Sequence, residues 1–311
     1  MHLLIPCAGV LSEAGLQALR SLQLPQLARL LGELTATARD EASETSRNPP
    51  HERALARALG WPDAGDGCLP WGAWLAQRDG GVTGPASWGL LSPTHQHAGT
   101  QQVSLLDPDA LALDEATSRT LFDAVRPQFE SEGFATAWGA PQRWYVAHPL
   151  LDGLATASLD RVIGRNVDAW LPDQPQARLL RRLQMEVQML LYTHPLNDAR
   201  EAAGQFSVNA TWLSGCGRLP AGTPPADVSV DDRLRRPALN EDWPAWAAAW
   251  QALDDGPLSA LRAAAQQGES VQLTLCGERA AQRFETRPRS LLNRIAAHWR
   301  PATPVAMLEA L

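Results

Sequence analysis

The hydrophobic pattern changes period several times along the chain, and each change marks an element. Residues 2–6, HLLIP, read as a strand buried on both faces, with Leu3, Leu4 and Ile5 in an unbroken apolar run. Leucines then recur at helical spacing through SEAGLQALRSLQLPQLARLLGEL, interrupted by Pro25, which suits the first turn of a second helix. The polar TARDEASETSRNPPHERA stretch ends its run in a double proline and reads as a loop or boundary. A short helix, HERALARALG, stops at Gly60.

From about residue 68 to 148 the texture changes. ASWGLLSP and TQQVSLLD read as strands, and FATAWG with QRWYVAHP as a hairpin. Between them LDEATSRTLFDAVRPQFESEG is an amphipathic helix with an acidic first turn and Gly133 just past its end. Trp74, Trp88, Trp138 and Trp144 are expected to fill the core of this ββαββ unit. A long helix follows over 176–192, with Leu179, Leu183, Val187 and Leu190 or Leu191 on one face. ADVSV and SVQLTLCG read as strands, with DWPAWAAAWQAL, PLSALRAAAQQG and PRSLLNRIAAHW as helices. The alternation predicts an α/β fold: a mostly parallel sheet flanked by helices, with an inserted α+β unit. The expected boundaries are 1–66 plus 176–311 for the α/β core and 67–175 for the insert.

Composition narrows the chemistry. All 27 basic residues are arginine, which removes Schiff-base lysine chemistry, a Walker-A lysine and a kinase-type lysine together. A net charge of −7 argues against a nucleic-acid partner. Cys7, Cys68, Cys216 and Cys276 are scattered without a CxxC pair, as expected for reduced thiols in a cytoplasmic protein. The apolar run at the start is too short for a signal sequence, and no membrane association is expected.

Two sets of residues are candidates for a site. The HPLNDAREAAGQFSVNATWLSGCG stretch, 194–217, brings together Asn197, Arg200 and Asn209 with Ser214, Gly215 and Gly217. Successive backbone N–H groups at the glycines can form an anion-binding nest, and Arg200 supplies a fork matching phosphate or carboxylate. Equally, the asparagines can satisfy buried backbone in an ordinary helix–loop–strand connection. Cys216 would be reactive only if backbone amides or Arg218 lowered its pKa. The second set is His95 and His97, an H-x-H pair with His148 as a conceivable third ligand, together with Asp231 and Asp232 after a strand. These are weak metal-ligand alternatives, and Asp231 and Asp232 can equally cap a helix or pair with Arg233, Arg235 or Arg236.

The run carried by His194, Pro195, Asn197, Arg200, Gly204, Asn209, Gly215 and Gly217 resembles that of archaeal-type, cofactor-independent phosphoglycerate mutases of the alkaline-phosphatase-like superfamily. LQLPQLARLL is similar to the TPNLDRLA helix of that superfamily. With DPDAL, RWY and EVQMLL, the chain also resembles a proteobacterial group labelled regulatory protein, RpfE type. The resemblance implies a two-metal site held by aspartates and histidines, with a serine nucleophile. The chain departs from it where the chemistry would sit. Pro6, Cys7, Ala8 and Gly9 follow the first strand where the family has aspartate-glycine, and Cys276, Gly277 and Glu278 stand where it has an Asp-His pair. The expectation is therefore a metal-free, cofactor-free and catalytically inactive relative that binds a small anion and serves a regulatory role. An active phosphomutase or phosphatase with non-standard metal ligands, and a tryptophan-rich interaction module, are the alternatives; a protein partner is unknown.

Overall fold

The computed structural model describes residues 1–80, 86–99, 102–221, 227–287 and 304–311. The chain starts with β1 (His2–Ile5), α1 (Glu13–Ser21), α2 (Pro25–Glu33), β2 (Thr35–Glu41) and α3 (Pro50–Ala58). It continues with α4 (Trp71–Arg78), β3 (Trp88–Thr94), β4 (Gln96–Ala98), β5 (Val103–Leu105), α5 (Glu115–Glu130), β6 (Ala135–Ala140) and β7 (Arg143–Ala147). Then come α6 (Leu159–Val162), α7 (Ala177–Tyr192), α8 (Pro195–Ala202) and β8 (Ala210–Gly217). The last part holds β9 (Val228–Val230), α9 (Arg235–Leu239), α10 (Trp243–Leu253), α11 (Ser259–Gln266), β10 (Gln272–Cys276), β11 (Ala280–Glu285) and a closing helix, Pro304–Glu309. The helix expected over PRSLLNRIAAHW lies outside the described residues.

Two units divide the chain: residues 1–44, 49–62 and 222–311 in the first, and 45–48 and 63–221 in the second. The first holds a five-stranded sheet in the order β2-β11-β10-β1-β9. β1 runs parallel to β9 and β10, whereas β11 is antiparallel to both β10 and β2. The sheet is thus mixed rather than mostly parallel. β2 falls in the stretch expected as a loop; as an edge strand of half-buried and exposed residues it shows no apolar alternation to read.

Alternation along β1 sorts its side chains onto two layers. Leu3 and Ile5, with Leu273 and Leu275, pack under Leu19, Leu27, Leu30, Trp246, Trp250 and Leu261 from α1, α2, α10 and α11. Leu4 and Cys276 face Ala54 and Leu55 of α3. Pro25 opens α2 as expected, but the α2 N-terminus is capped from far away. The buried carboxylate of Asp254 accepts Gln26 N–H at 3.0 Å and Leu27 N–H at 2.7 Å, satisfying two of the donors that a helix start leaves open.

His2, on the α3 side, lies 2.8 Å through Nε2 from Thr274 Oγ1. Burial, reinforced by Arg283, lowers its pKa from 6.5 to about 4. Between those values the unfolded chain binds a proton that the folded one refuses, so stability falls as pH drops through the window and is fully present above pH 6.5. The ceiling is about 3 kcal/mol, reduced where solvent reaches the ring. Urea unfolding of wild type and His2→Gln at pH 7.5 and 4.5 tests this: the glutamine variant should lose less stability on acidification.

In the second unit an antiparallel sheet, β6-β7-β3-β8, is covered on one face by α4 and on the other by α5 and α7. Trp144 and Val146 of β7 meet Leu121, Val125, Leu183 and Val187, while Tyr145 and Ala147 meet Ala73 and Ala76 of α4. The expected boundary at residue 176 therefore moves to about 221. The cause is β8, whose Leu213 and Ser214 pair with Leu91 and Leu90 of β3 and draw α7 and α8 with them. Among the described residues no tryptophan is exposed; Trp144, Trp212, Trp246 and Trp250 are core. Of the four tryptophans expected in the core of this unit, Trp88 and Trp144 are buried and Trp74 and Trp138 half-buried. No helix among the described residues is long and apolar enough to cross a membrane.

Candidate functional site

The 194–217 stretch is a helix, a turn and a strand, and its polar groups are aimed inward. His194 starts α8, its Nδ1 accepting Leu196 N–H at 3.2 Å, with Pro195 in the first turn where no donor is needed. Gly204, at φ +73°, ends the helical segment. Asn197 is 3% exposed. Its Nδ2 donates to Leu191 O at 2.7 Å and Val208 O at 2.8 Å, and its Oδ1 accepts Val208 N–H at 2.8 Å. The amide therefore ties the end of α7 to the chain entering β8. Asn209 does the same for Gln96, accepting its N–H at 2.7 Å and donating to its carbonyl at 2.9 Å.

Arg200, also buried, donates from Nε to Phe206 O at 2.9 Å and from Nη2 to Leu111 O. Burial lowers its pKa, and Asp114 partly opposes that. No carboxylate lies within ion-pair reach of this guanidinium among the described residues.

Ser214, Gly215 and Gly217 lie inside β8 rather than beyond it, and all are buried. The glycines are there to admit α4. A Cβ on Gly215 would stand 2.8 Å from Trp71 Cβ and 2.9 Å from Gly72 N, and one on Gly217 3.2 Å from Pro70 Cβ. Gly72 in turn rides on the β3 backbone, where its Cβ would meet Leu90 N at 2.6 Å. The face expected to cradle an anion is thus covered by a helix of the same unit. Cys216 is fully buried and burial pushes its thiol up to about 12, the opposite of an activated nucleophile.

Among the described residues the alternative metal ligands do not converge. His95 Nδ1 lies 2.8 Å from Ser207 O, and its ring packs on Phe206. His97 is exposed on β4 opposite Ser104, while His148 stacks on Phe134. Asp231, in the other unit, accepts from Arg233 Nε at 2.8 Å, and the Asp232 carbonyl accepts Arg235 N–H. Among the described residues no group of three or more His, Cys, Asp or Glu side chains gathers as a metal site.

The strand ends of the first unit were named in the sequence only for what they lack. After β1, Ala8 N–H donates to Cys276 O at 2.7 Å, and Trp246 Nε1 donates to Cys7 O at 3.0 Å. Against this edge sit the buried Leu308 and Leu311. A Cβ on Gly9 would stand 2.5 Å from Leu308 O, and one on Gly277 2.6 Å from Leu311 Cβ. Arg279 and Ala280 N–H both donate to the Leu311 oxygen, at 2.9 and 2.7 Å. The sequence signal was the glycine pair, whose missing side chains make the slot.

No protein-family model matches the chain, and no curated protein matches it. Two solved structures are similar to it over most of their length. A cofactor-independent phosphoglycerate mutase from Thermoplasma acidophilum shares 15% identity at a TM-score of 0.40, over 100% of this chain and 98% of the other. The PH0037 protein from Pyrococcus horikoshii shares 10% identity at a TM-score of 0.46, over 92% and 87%. Similarities this weak assign neither a family nor a reaction.

Proposed function

We propose that this chain is a non-catalytic, phosphoglycerate mutase-like protein that acts without a metal and binds a small phosphate- or carboxylate-bearing ligand in a regulatory role. The observation that carries the non-catalytic part is the filling of the β1 and β10 strand ends by Leu308 and Leu311. In α/β folds those carboxyl ends are where ligands and reacting groups collect, and two-metal phosphoryl transfer needs charged oxygen and nitrogen ligands there. Apolar side chains in their place support binding elsewhere.

Arg200 supports the anion. Among the described residues it donates to two carbonyl oxygens and to no carboxylate, with Asp114 acting only from beyond ion-pair distance, so a ligand oxyanion would supply a direct counter-charge. The glycines of β8 and the two asparagine amides have no part in this narrower site.

Thermal unfolding with inorganic phosphate or 3-phosphoglycerate tests it. Saturation near a hundred times Kd should stabilise wild type by about 2.7 kcal/mol. Arg200→Gln should lose that gain, whatever its own starting stability. An undiminished gain in the variant would remove Arg200 as the site. Turnover of 3-phosphoglycerate on addition of Mn²⁺, lost on His95→Ala or Asp231→Ala, would instead establish the enzyme reading.

A further inference from the structure

On the outward face of α7, Met185, Met189 and Tyr192 are left exposed. Leu180, Leu183, Val187 and Leu191 pack into the second unit's core, as a helix with one apolar stripe requires. The opposite side carries a second series: Arg178, Arg182, Met185, Met189 and Tyr192, all exposed. Met185 is 61% exposed, Met189 68% and Tyr192 77%, among the most exposed large apolar side chains in the protein. Their spacing alternates four and three residues, the repeat that keeps a seam facing a neighbouring helix.

The two ends of this seam are unlike, and the difference selects an occupant. Arg178 and Tyr192 each lie seven residues from Met185, two helical turns away on either side. Arg178 has no ion pair among the described residues. A helix laid antiparallel across Met185 would set its own Tyr192 over this Arg178 and its own Arg178 under this Tyr192. A guanidinium over a phenol face is an attractive pair, formed twice by one two-fold axis, as isologous contacts require. Arg182, paired with Glu132 and Glu186, borders the methionines without leaving a bare charge under them.

From this self-complementarity we infer that α7 is a homodimer contact, with a second copy of the chain packed antiparallel about a two-fold axis at Met185. One helix pair is smaller than a standard stable interface, so the dimer forms and dissociates with concentration. It is independent of the anion site.

Sedimentation velocity across a low-to-high micromolar series should show monomer passing to dimer. Met185→Glu places two carboxylates together on the axis and should weaken association by about tenfold or more, while Met185→Leu retains it. In a Cys68→Ser background, Met185→Cys should give a disulfide-linked dimer on mild oxidation. Met189→Cys should not, because only a residue on the axis meets its own copy within disulfide reach. A monomer at every concentration overturns the inference. So does a dimer indifferent to Met185→Glu, or one cross-linked as readily through position 189. Circular dichroism of each variant confirms that the helix itself is intact.

Discussion

Replacing Asn197 by leucine is expected to cost about 3–5 kcal/mol of unfolding free energy, with no ligand present. The side chain is buried and makes three hydrogen bonds, to Leu191 O, Val208 O and Val208 N–H. Leucine has the same branching and number of heavy atoms and is bulkier, so no cavity is left. The loss comes from three backbone groups stranded away from water, each worth about 1–3 kcal/mol and not fully additive. Aspartate would keep one bond and lose two, while burying a charge beside two carbonyl oxygens. Equilibrium urea unfolding followed by tryptophan fluorescence measures the difference. A residue kept only to touch a ligand would leave the unliganded protein as stable as wild type, so a cost below about 1 kcal/mol would contradict the staple.

Asn197 also shows why the fold was more legible in the sequence than the site. Buried strands such as β1 and β10, and one-sided helices such as α2, α5 and α7, announce themselves because burial imposes a local period. β2, at the sheet edge, and β11 beside it were missed because TATARDE and AAQRFE mix small and charged residues without a regular apolar alternation. The unit boundary was misplaced because the pairing of Leu90 with Ser214 is non-local, and no pattern within β8 names its neighbour. The site depends on such partners even more. An arginine and two asparagines beside glycines are the same residue types whether they hold an anion or a carbonyl. For Arg200 the deciding group is Leu111 O, 89 residues away.

The strand ends carry the same lesson in reverse. Pro6–Gly9 and Cys276–Glu278 look deficient when compared with a two-metal site. In the folded chain they are fitted to something else: Gly9 and Gly277 leave room for Leu308 and Leu311, and the amides of Arg279 and Ala280 are satisfied by the Leu311 oxygen. An edge whose polar groups are paired and whose hollow is filled is a packed surface. That is why the binding reading looks to Arg200, where charge rather than space is left over.

Gly215→Ala separates the two readings of the β8 glycines and should cost about 3 kcal/mol. Two effects combine. At φ +60° the backbone is left-handed, which for a residue bearing a Cβ costs about 1–2 kcal/mol. The new methyl also meets Trp71 Cβ at 2.8 Å and Gly72 N at 2.9 Å, so α4 must retreat from the sheet, an overpacking worth about 1–3 kcal/mol. Gly204→Ala isolates the first effect, since Gly204 is left-handed at φ +73° with nothing within 4 Å of its added Cβ. The Gly215 variant should therefore be less stable than the Gly204 variant by about 2 kcal/mol, because only it carries the clash. Were the glycine present to offer its N–H to an anion, alanine would keep the N–H and the two variants would be equally stable without ligand. Equal costs would mean that α4 yields freely, and that the close approach of Gly72 to the β3 backbone is not what holds this helix on the sheet.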